Sequence, residues 1–558
     1  MFNGGNITVT GNVTSNGDSA IIIDGDNSTV TVNGNVSSSI NTEDDNSIIP
    51  GNRDVPPSVS MYGNNSTLTI NGDTFGTIKT RDSDSTVNIN GNITSEGTGI
   101  DLIAFGSGPV NNCTVNVKGN ISSETGYGIG CCFSNINVDG NVHSNQGDAL
   151  FASFSEANIN GDVISDAGEA INSDSSTVNI NGNVTGGKWG VYSYCGKSNV
   201  IVNGNVTSGV TTKNDGTTIS HAMCLHNGAS ITIEGNVETA NEGLDNETAI
   251  VIRKTDKAGN GKLVVLGNVT AHGKDGNAIW IDKLLNDETG QFETFQLKNL
   301  PSMLFGSLNA DSKDLLIGFD TNNGNSDEEN NALLESVYDN IMYYIDIKQP
   351  DNGKIDVTGA FSSDGYLVAH EDDSISISVS PNEGYEVDSV AGGKVDVIKN
   401  DDGTYTIKVP RGGGIKISAL LKAIEKVIPP YSETPVIKVE SSGSSSSKKS
   451  DDTTSAPVQT AEKRYSVFNN TIQKDIASVP QNGTLKIDMG NWISFNKKTF
   501  ELLSKRSDVA ITITYKYKGQ TYRVTIPAGY PIMDLLDENG YCGCLYLNSI
   551  FGSELVTQ

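Results

Sequence analysis

Over its first three hundred residues the chain alternates apolar and polar residues in short bursts, and most bursts run into Gly-Asn or Gly-Asp. In STVNINGNV, Ser176 to Val184, the apolar positions are Val178, Ile180 and Val184, and STVNINGNI, Ser85 to Ile93, repeats the pattern almost letter for letter. Period-two alternation puts every second side chain on one face, so each burst predicts a short strand with one side buried. The glycines of the eleven copies are Gly11, Gly34, Gly72, Gly91, Gly119, Gly140, Gly161, Gly182, Gly204, Gly235 and Gly267. From Gly119 to Gly204 their spacings are 21, 21, 21 and 22, which sets the unit, and longer gaps read as loops inserted into it.

Two residues before every one of these glycines stands Val or Ile, from Val9 to Val265, and two residues after it Val or Ile returns, Thr74 excepted. A third strand then opens on a small residue and a hydrophobe, as in Gly128-Ile129, Ala149-Leu150, Ala170-Ile171, Gly190-Val191, Ala222-Met223, Ala249-Ile250 and Ala278-Ile279. Three short strands per unit predict a mainly β, three-sided parallel β-helix of about 11 coils of about 21 residues, a rod on the order of 50 Å long. The residue after the glycine is Asn in nine copies and Asp at Asp73 and Asp162. That column predicts amides bonded along the axis at a corner where Asn tolerates left-handed backbone.

Residues 1–300, carrying these repeats, resemble the right-handed parallel β-helix, or pectin-lyase-like, family of surface solenoids. The resemblance implies right-handed winding and architecture alone, since that fold hosts lyases, hydrolases, adhesins and inert stalks. Beyond residue 300 the tag disappears. Residues 301–342, with the amphipathic DEENNALLESVYDNIM (Leu333, Leu334 and Val337 on one face), read as a cap with a helix. The preceding DTNNGNSDE loosely matches a calcium loop, but its Gly324 falls at the fifth rather than the sixth position. Otherwise no cofactor is expected.

Residues 343–424 alternate in SISISVSP and GTYTIKVP between Gly-containing turns, predicting a small β-sandwich. Their phrases GYEVDSV, DGTYTIKVP and RGGGIKISA are similar to β-repeat modules that follow β-helices in surface proteins of anaerobic Gram-positive bacteria, which implies a spacer. Residues 425–463, with SSGSSSSKKSDDTTSAP, read as a disordered linker. Residues 464–558 read as a small α+β module, with wording such as IPAGYPIMDLLDENGYCG similar to a C-terminal module of such secreted proteins. There Tyr515, Tyr517 and Tyr522 alternate on a hairpin, a pattern that more often packs than projects.

The formal net charge of −29 makes nucleic acid a poor partner, because binding a phosphate backbone needs a basic stripe. No apolar run is long enough for a transmembrane segment. The seven cysteines form no paired CxxC, so neither a zinc site nor a disulfide framework is expected. The start, MFNGGNITVTGNV, reads as mid-repeat and lacks a basic, apolar export signal, so the expectation is an extracellular or cell-surface protein whose natural N-terminus lies upstream. Its oligomeric state and anchoring are not legible.

Candidate chemistry lies on the outer face of the third strand. If Ile171, Val191, Met223, Ile250 and Ile279 point inward, the outward row reads Phe151, Asn172, Tyr192, Cys224, Val251, Trp280, and two residues on it reads Ser153, Asp174, Tyr194, His226, Arg253, Asp282. Rings that can stack on sugars beside groups that can bond hydroxyls suggest a glycan-binding strip of Phe151, Asp174, Tyr192, Tyr194, His226, Arg253, Trp280 and Asp282. Insertions at 41–58, 104–112, 209–221 and 254–262 are placed to wall it. Asp174 and Asp282, taken as about five coils and on the order of 24 Å apart, are too distant for a hydrolytic carboxylate pair. His226 beside Arg253 is a weak lyase-like pair, and His143, His221, His272 and His370 read as isolated or packed. The expectation is adhesion or glycan binding without catalysis; the alternatives are a polysaccharide lyase or glycoside hydrolase, and an inert stalk.

Overall fold

The computed structural model describes residues 4–39, 57–81, 84–103, 112–194, 198–212, 218–240, 244, 247–253, 260–285, 292–311, 316–321, 325–424, 472, 475–476, 479–489, 494–517, 520–537, 540–552 and 554–556. The expected linker up to residue 463, Gly324 and the segments 40–56, 104–111, 213–217 and 254–259 of the predicted walls lie outside these. Residues 1–429 form one compact unit and 430–558 another.

The first unit is a parallel β-helix. One coil runs through strands Thr177–Ile180, Val184–Gly186 and Val191–Ser193, and each pairs in parallel with its equivalents one coil before and after. The third-strand ladder extends over twelve strands, from Ile21–Ile23 to Ile317–Phe319. Val178, Ile180, Val184 and Val191 are fully buried in this coil, each worth about 1.5–3 kcal/mol relative to exposure. Their equivalents above and below join them in one continuous core.

The Asn corner differs from the expectation in one respect. The bond present at every step runs from the backbone N–H of each corner residue to the side-chain Oδ1 one coil earlier, as from Asn120 to Asn92 at 2.9 Å and from Asn141 to Asn120 at 2.8 Å, while the expected amide-to-amide bond joins only some steps, Asn205 Nδ2 donating to Asn183 Oδ1 and Asn236 Nδ2 to Asn205 Oδ1, each at 3.1 Å. The backbone bond runs unbroken from Asn12 to Asn268. Because only an acceptor is required, Asp73 and Asp162 serve as well as Asn. None of these residues has left-handed backbone; positive φ falls instead at the corner after the third strand, at Asn27, Asn65, Asp84, Asn112, Phe133, Phe154, Ser175 and Asn227. A continuous amide-to-amide ladder runs on the first strand, from Asn88 to Asn179. The recurring glycine has a steric cause, since a Cβ on Gly119 would lie 2.5 Å from the Gly91 carbonyl oxygen.

The ladder continues past residue 300. Ser302–Ala310 pairs in parallel with Lys262–Ala271, and Ile341–Lys348 pairs in parallel with Ser302–Ala310. Gly306-Ser307 is a further copy of the corner in which Ser307 Oγ donates to Asn268 Oδ1 at 2.7 Å. Between Ile317–Phe319 and Ile341–Lys348 runs the helix Asp327–Asp339, started by a capping box of Ser326 and Glu329, with Val337 buried and Leu333 and Leu334 packed on the same core. Ile341–Lys348 also pairs with Ile415–Ala423 and Tyr366–Ala369, which extend the sheet of the last coil, while Gly353–Thr358, Ser374–Pro381, Tyr405–Lys408 and Ile398–Lys399 form a separate four-stranded sheet. Arg411 fastens them to the helix: it is bidentate to Glu335, bonds Glu371, and lies 4.1 Å from the centroid of Tyr338.

In the second unit Thr484–Asp488 pairs in parallel with Ala510–Tyr517, which forms a hairpin with Gln520–Ile526. Helices Lys497–Leu503 and Cys544–Phe551 complete it. Tyr515 is buried and stacks on Tyr522 at 5.7 Å.

Candidate functional site

The third-strand face carries three outward rows, and the strand register fixes each member. Phe151, Asn172, Tyr192, Cys224, Val251 and Trp280 pair in that order. Ser153 pairs with Asp174 and His226 with Arg253, Tyr194 lying between and Asp282 beyond. Asp174 and Asp282 are therefore four steps apart, not five, or about 19 Å, still too far to act as a pair. The first row is not open along its length: Cys224 and Val251 are buried, and burial pushes the Cys224 thiol up to about 12.

The third row stands one residue before the small residue that opens each strand. It reads Tyr127, Asp148, Glu169, Trp189, His221, Thr248 and Asn277: the backbone N–H groups of Gly128, Ala149 and Ala170 donate to the carbonyls of Asp148, Glu169 and Trp189, and the strand register carries the row on through His221, Thr248 and Asn277. The expected strand opens on the small-hydrophobe pair and leaves the residue before it without a direction. That pair was itself the signal, because the residue before it has the same neighbours coil after coil.

Two patches result. In the first, Trp189 stacks on His221 at 4.9 Å and tilts against Tyr192 at 5.8 Å; Tyr192 lies 6.4 Å from Tyr194, which stacks on His226 at 5.2 Å. Arg253 sits 5.9 Å from the Trp189 centroid and donates to Asp282 Oδ2 at 2.6 Å. The Trp280 indole N–H takes the other Asp282 oxygen at 2.7 Å. Asp282 thus holds an arginine and a tryptophan in place. Burial, with the Arg253 charge adding to it, lowers the His226 pKa, so its imidazole is neutral at pH 7.

The second patch is acidic. Asp148 is buried, with Oδ1 accepting from the Glu169 backbone N–H at 3.0 Å and Oδ2 from Asn172 Nδ2 at 3.1 Å. The Glu169 carboxyl hydrogen-bonds Asp148 and is pushed up to about 7, by burial first and by Asp148 second, with Lys188 opposing. Tyr127 stacks on Phe151 at 5.5 Å beside this pair, and Ser153 Oγ donates to Asp174 Oδ2 at 3.3 Å.

Of the predicted strip, Tyr192, Tyr194, His226, Arg253, Trp280 and Asp282 are contiguous, whereas Phe151 and Asp174 belong to the acidic patch. Trp189, His221, Asp148 and Glu169 were missed. The other histidines have partners: His143 meets Asp166 at 3.1 Å, His272 bridges Glu238 at 2.7 Å and Asp311 at 3.2 Å, and His370 bonds the Ile341 carbonyl. Cys131, Cys132, Cys224, Cys542 and Cys544 are thiols outside any disulfide. Among the described residues no cluster of three His, Cys, Asp or Glu is arranged to hold a metal ion, and no helix is long and apolar enough to cross a membrane.

Fold and site define a class: a parallel β-solenoid with an aromatic and charged strip along one face. No protein-family model, no curated protein sequence and no solved structure matches the chain.

Proposed function

We infer that the protein binds glycans through its third-strand face, as an adhesive surface solenoid that does no chemistry on them. The observation that carries this reading is the cluster of Trp189, Tyr192, Tyr194 and His226 against the Arg253–Asp282 pair. Rings gain from the apolar faces of sugars, and fixed donors and acceptors beside them match hydroxyls. The Arg253 guanidinium, held by Asp282, suits binding better than proton abstraction. The net charge of −29 and the resemblance to pectin-lyase-like surface solenoids of anaerobic Gram-positive bacteria support a secreted or cell-surface location, with residues 343–424 as spacer, 425–463 as tether and 464–558 as a separate module. A glycan array followed by calorimetry tests it: loss of binding in Tyr192→Ala supports the reading, and silence across the array overturns it.

A glycoside hydrolase is the second reading, favoured by Glu169, which keeps a proton near neutral pH beside Asp148. The two carboxyl groups touch, however, whereas hydrolysis places its carboxyls roughly 5 to 9.5 Å apart. Turnover in a reducing-end assay that disappears in Glu169→Gln would reverse the order of the two readings.

A further inference from the structure

Where the chain leaves the third strand, Asn112, Phe133, Phe154 and Ser175 occupy the same left-handed corner on consecutive coils, with φ of 59°, 50°, 48° and 50°. Asn suits that backbone, and a bulky ring does not. Yet Phe133 and Phe154 take it while staying 41% and 52% exposed. Core burial does not account for them. Their rings stack along the axis at 5.0 Å with planes 6° apart, so one face of Phe154 is covered by Phe133 and the other looks toward the coil of Asp174 and Ser175.

On the far side of that coil stands Tyr194, 50% exposed, with His226 stacked behind it at 5.2 Å and 18°. The register sets Phe133 and Phe154 in the column of Ser175, and Tyr194 and His226 in the neighbouring column of Asp174, so two aromatic stacks in adjacent columns end at the same rung from opposite directions, and the rung itself carries a serine and a carboxylate in place of a ring. Two coil steps, about 10 Å, separate the Phe154 and Tyr194 levels, and one residue of strand, about 3.3 Å, separates their columns, room for one ring lying obliquely across the rung in contact with both. Asp174 Oδ1 accepts from Ser175 Oγ at 3.1 Å and its Oδ2 from Ser153 Oγ at 3.3 Å, which holds the carboxylate at the rung with lone pairs to spare.

We propose that this rung is a subsite for one pyranose ring of a neutral glycan, its C–H faces against Phe154 and Tyr194 and its hydroxyls donating to Asp174. The subsite rests on the glycan-binding reading above and adds to it a place and a charge class. Uronate or sulfate groups would be repelled by Asp174 and by the Asp148–Glu169 pair, whereas neutral hydroxyls need an acceptor.

The test uses the full chain and three variants: Phe154→Ala, Ser175→Phe and, elsewhere on the face, Tyr192→Ala. Ser175→Phe supplies the missing ring at a backbone that already accepts Phe at Phe133 and Phe154, so it blocks the subsite while the fold is kept; circular dichroism and melting check this. The probes are xyloglucan, mixed-linkage β-glucan, mannan, arabinoxylan and polygalacturonate, measured by calorimetry and affinity electrophoresis. The expected result is binding of at least one neutral glycan, weakened tenfold or more by both Phe154→Ala and Ser175→Phe, and no binding of polygalacturonate. Neutral-glycan binding that falls in Tyr192→Ala but is unchanged in folded Ser175→Phe overturns the subsite and leaves the broader reading standing. Preference for polygalacturonate overturns the charge class, and silence toward all five probes overturns both readings.

Discussion

The Glu169 carboxyl hydrogen-bonds that of Asp148 one coil earlier, and Glu169 keeps its proton until about pH 7. An unfolded glutamic acid ionises near 4.5, so folding takes up a proton between those values. The stabilisation is complete below pH 4.5 and lost as pH rises through 7. Solvent screening at this half-open site holds it to about 1–2 kcal/mol. His272 acts in the same direction at higher pH. Partial burial lowers its pKa, but the bonds to Glu238 and Asp311 outweigh that and raise it, so its contribution is full below 6.5 and fades above its folded value. Melting temperature should fall from pH 5 to 8. Glu169→Gln should flatten the lower part of that fall and His272→Gln the upper part; a profile unchanged in both would refute the assignment.

The corner bond asks for an acceptor alone. Asn120→Asp keeps Oδ1 for the Asn141 N–H and should melt within a degree or two of the parent. Asn120→Leu removes it and should cost about 0.5–1.5 kcal/mol. Chemical denaturation of the two variants side by side reads the difference.

Gly119→Ala should be worse than either. Its Cβ would lie 2.5 Å from the Gly91 carbonyl oxygen, which cannot retreat without moving its coil, and 2.6 Å from Asn92 Oδ1, which can retreat only by giving up its bond from the Asn120 N–H. The cost expected is about 1–3 kcal/mol, seen as a lower denaturation midpoint.

Arg253→Met removes the donor that holds Asp282. Glycan affinity should drop at least tenfold while the melting temperature changes little, because the pair is exposed to solvent on one side. Equal losses of binding and stability would mean that the arginine only holds the fold.

Arg411→Met should loosen the helix Asp327–Asp339 from the sheets beyond it, since one guanidinium serves Glu335, Glu371 and Tyr338. Hydrogen exchange across that helix should speed up, with the central coils unaffected.

Much of this architecture was legible because period two and stacking leave little freedom. Once Ile171 and Val191 are set inward, Asn172 must neighbour Tyr192, and the structure has that pairing. What stayed hidden had physical reasons. The corner was tagged by Gly-Asn, so Gly306-Ser307, where a hydroxyl replaces the amide, was not counted and the ladder was ended at residue 300 although Met303, Phe305, Ile341 and Tyr343 keep the buried alternation. Glu169 and Trp189 project from the residue before the strand, a position whose direction alternation does not fix. His272 meets Glu238 and Asp311 from coils 34 and 39 residues away, pairings that depend on loop lengths rather than on the pattern.

The unidirectional corner bond has an evolutionary corollary. Every coil offers its successor the same oxygen and receives the same N–H, so a segment cut at Gly140 and Gly161 could be excised or duplicated and the new neighbours would still mate. Such a molecule can change length by unequal recombination in steps of one unit, and each step shifts which side chains become neighbours on the third face without asking the core to be redesigned.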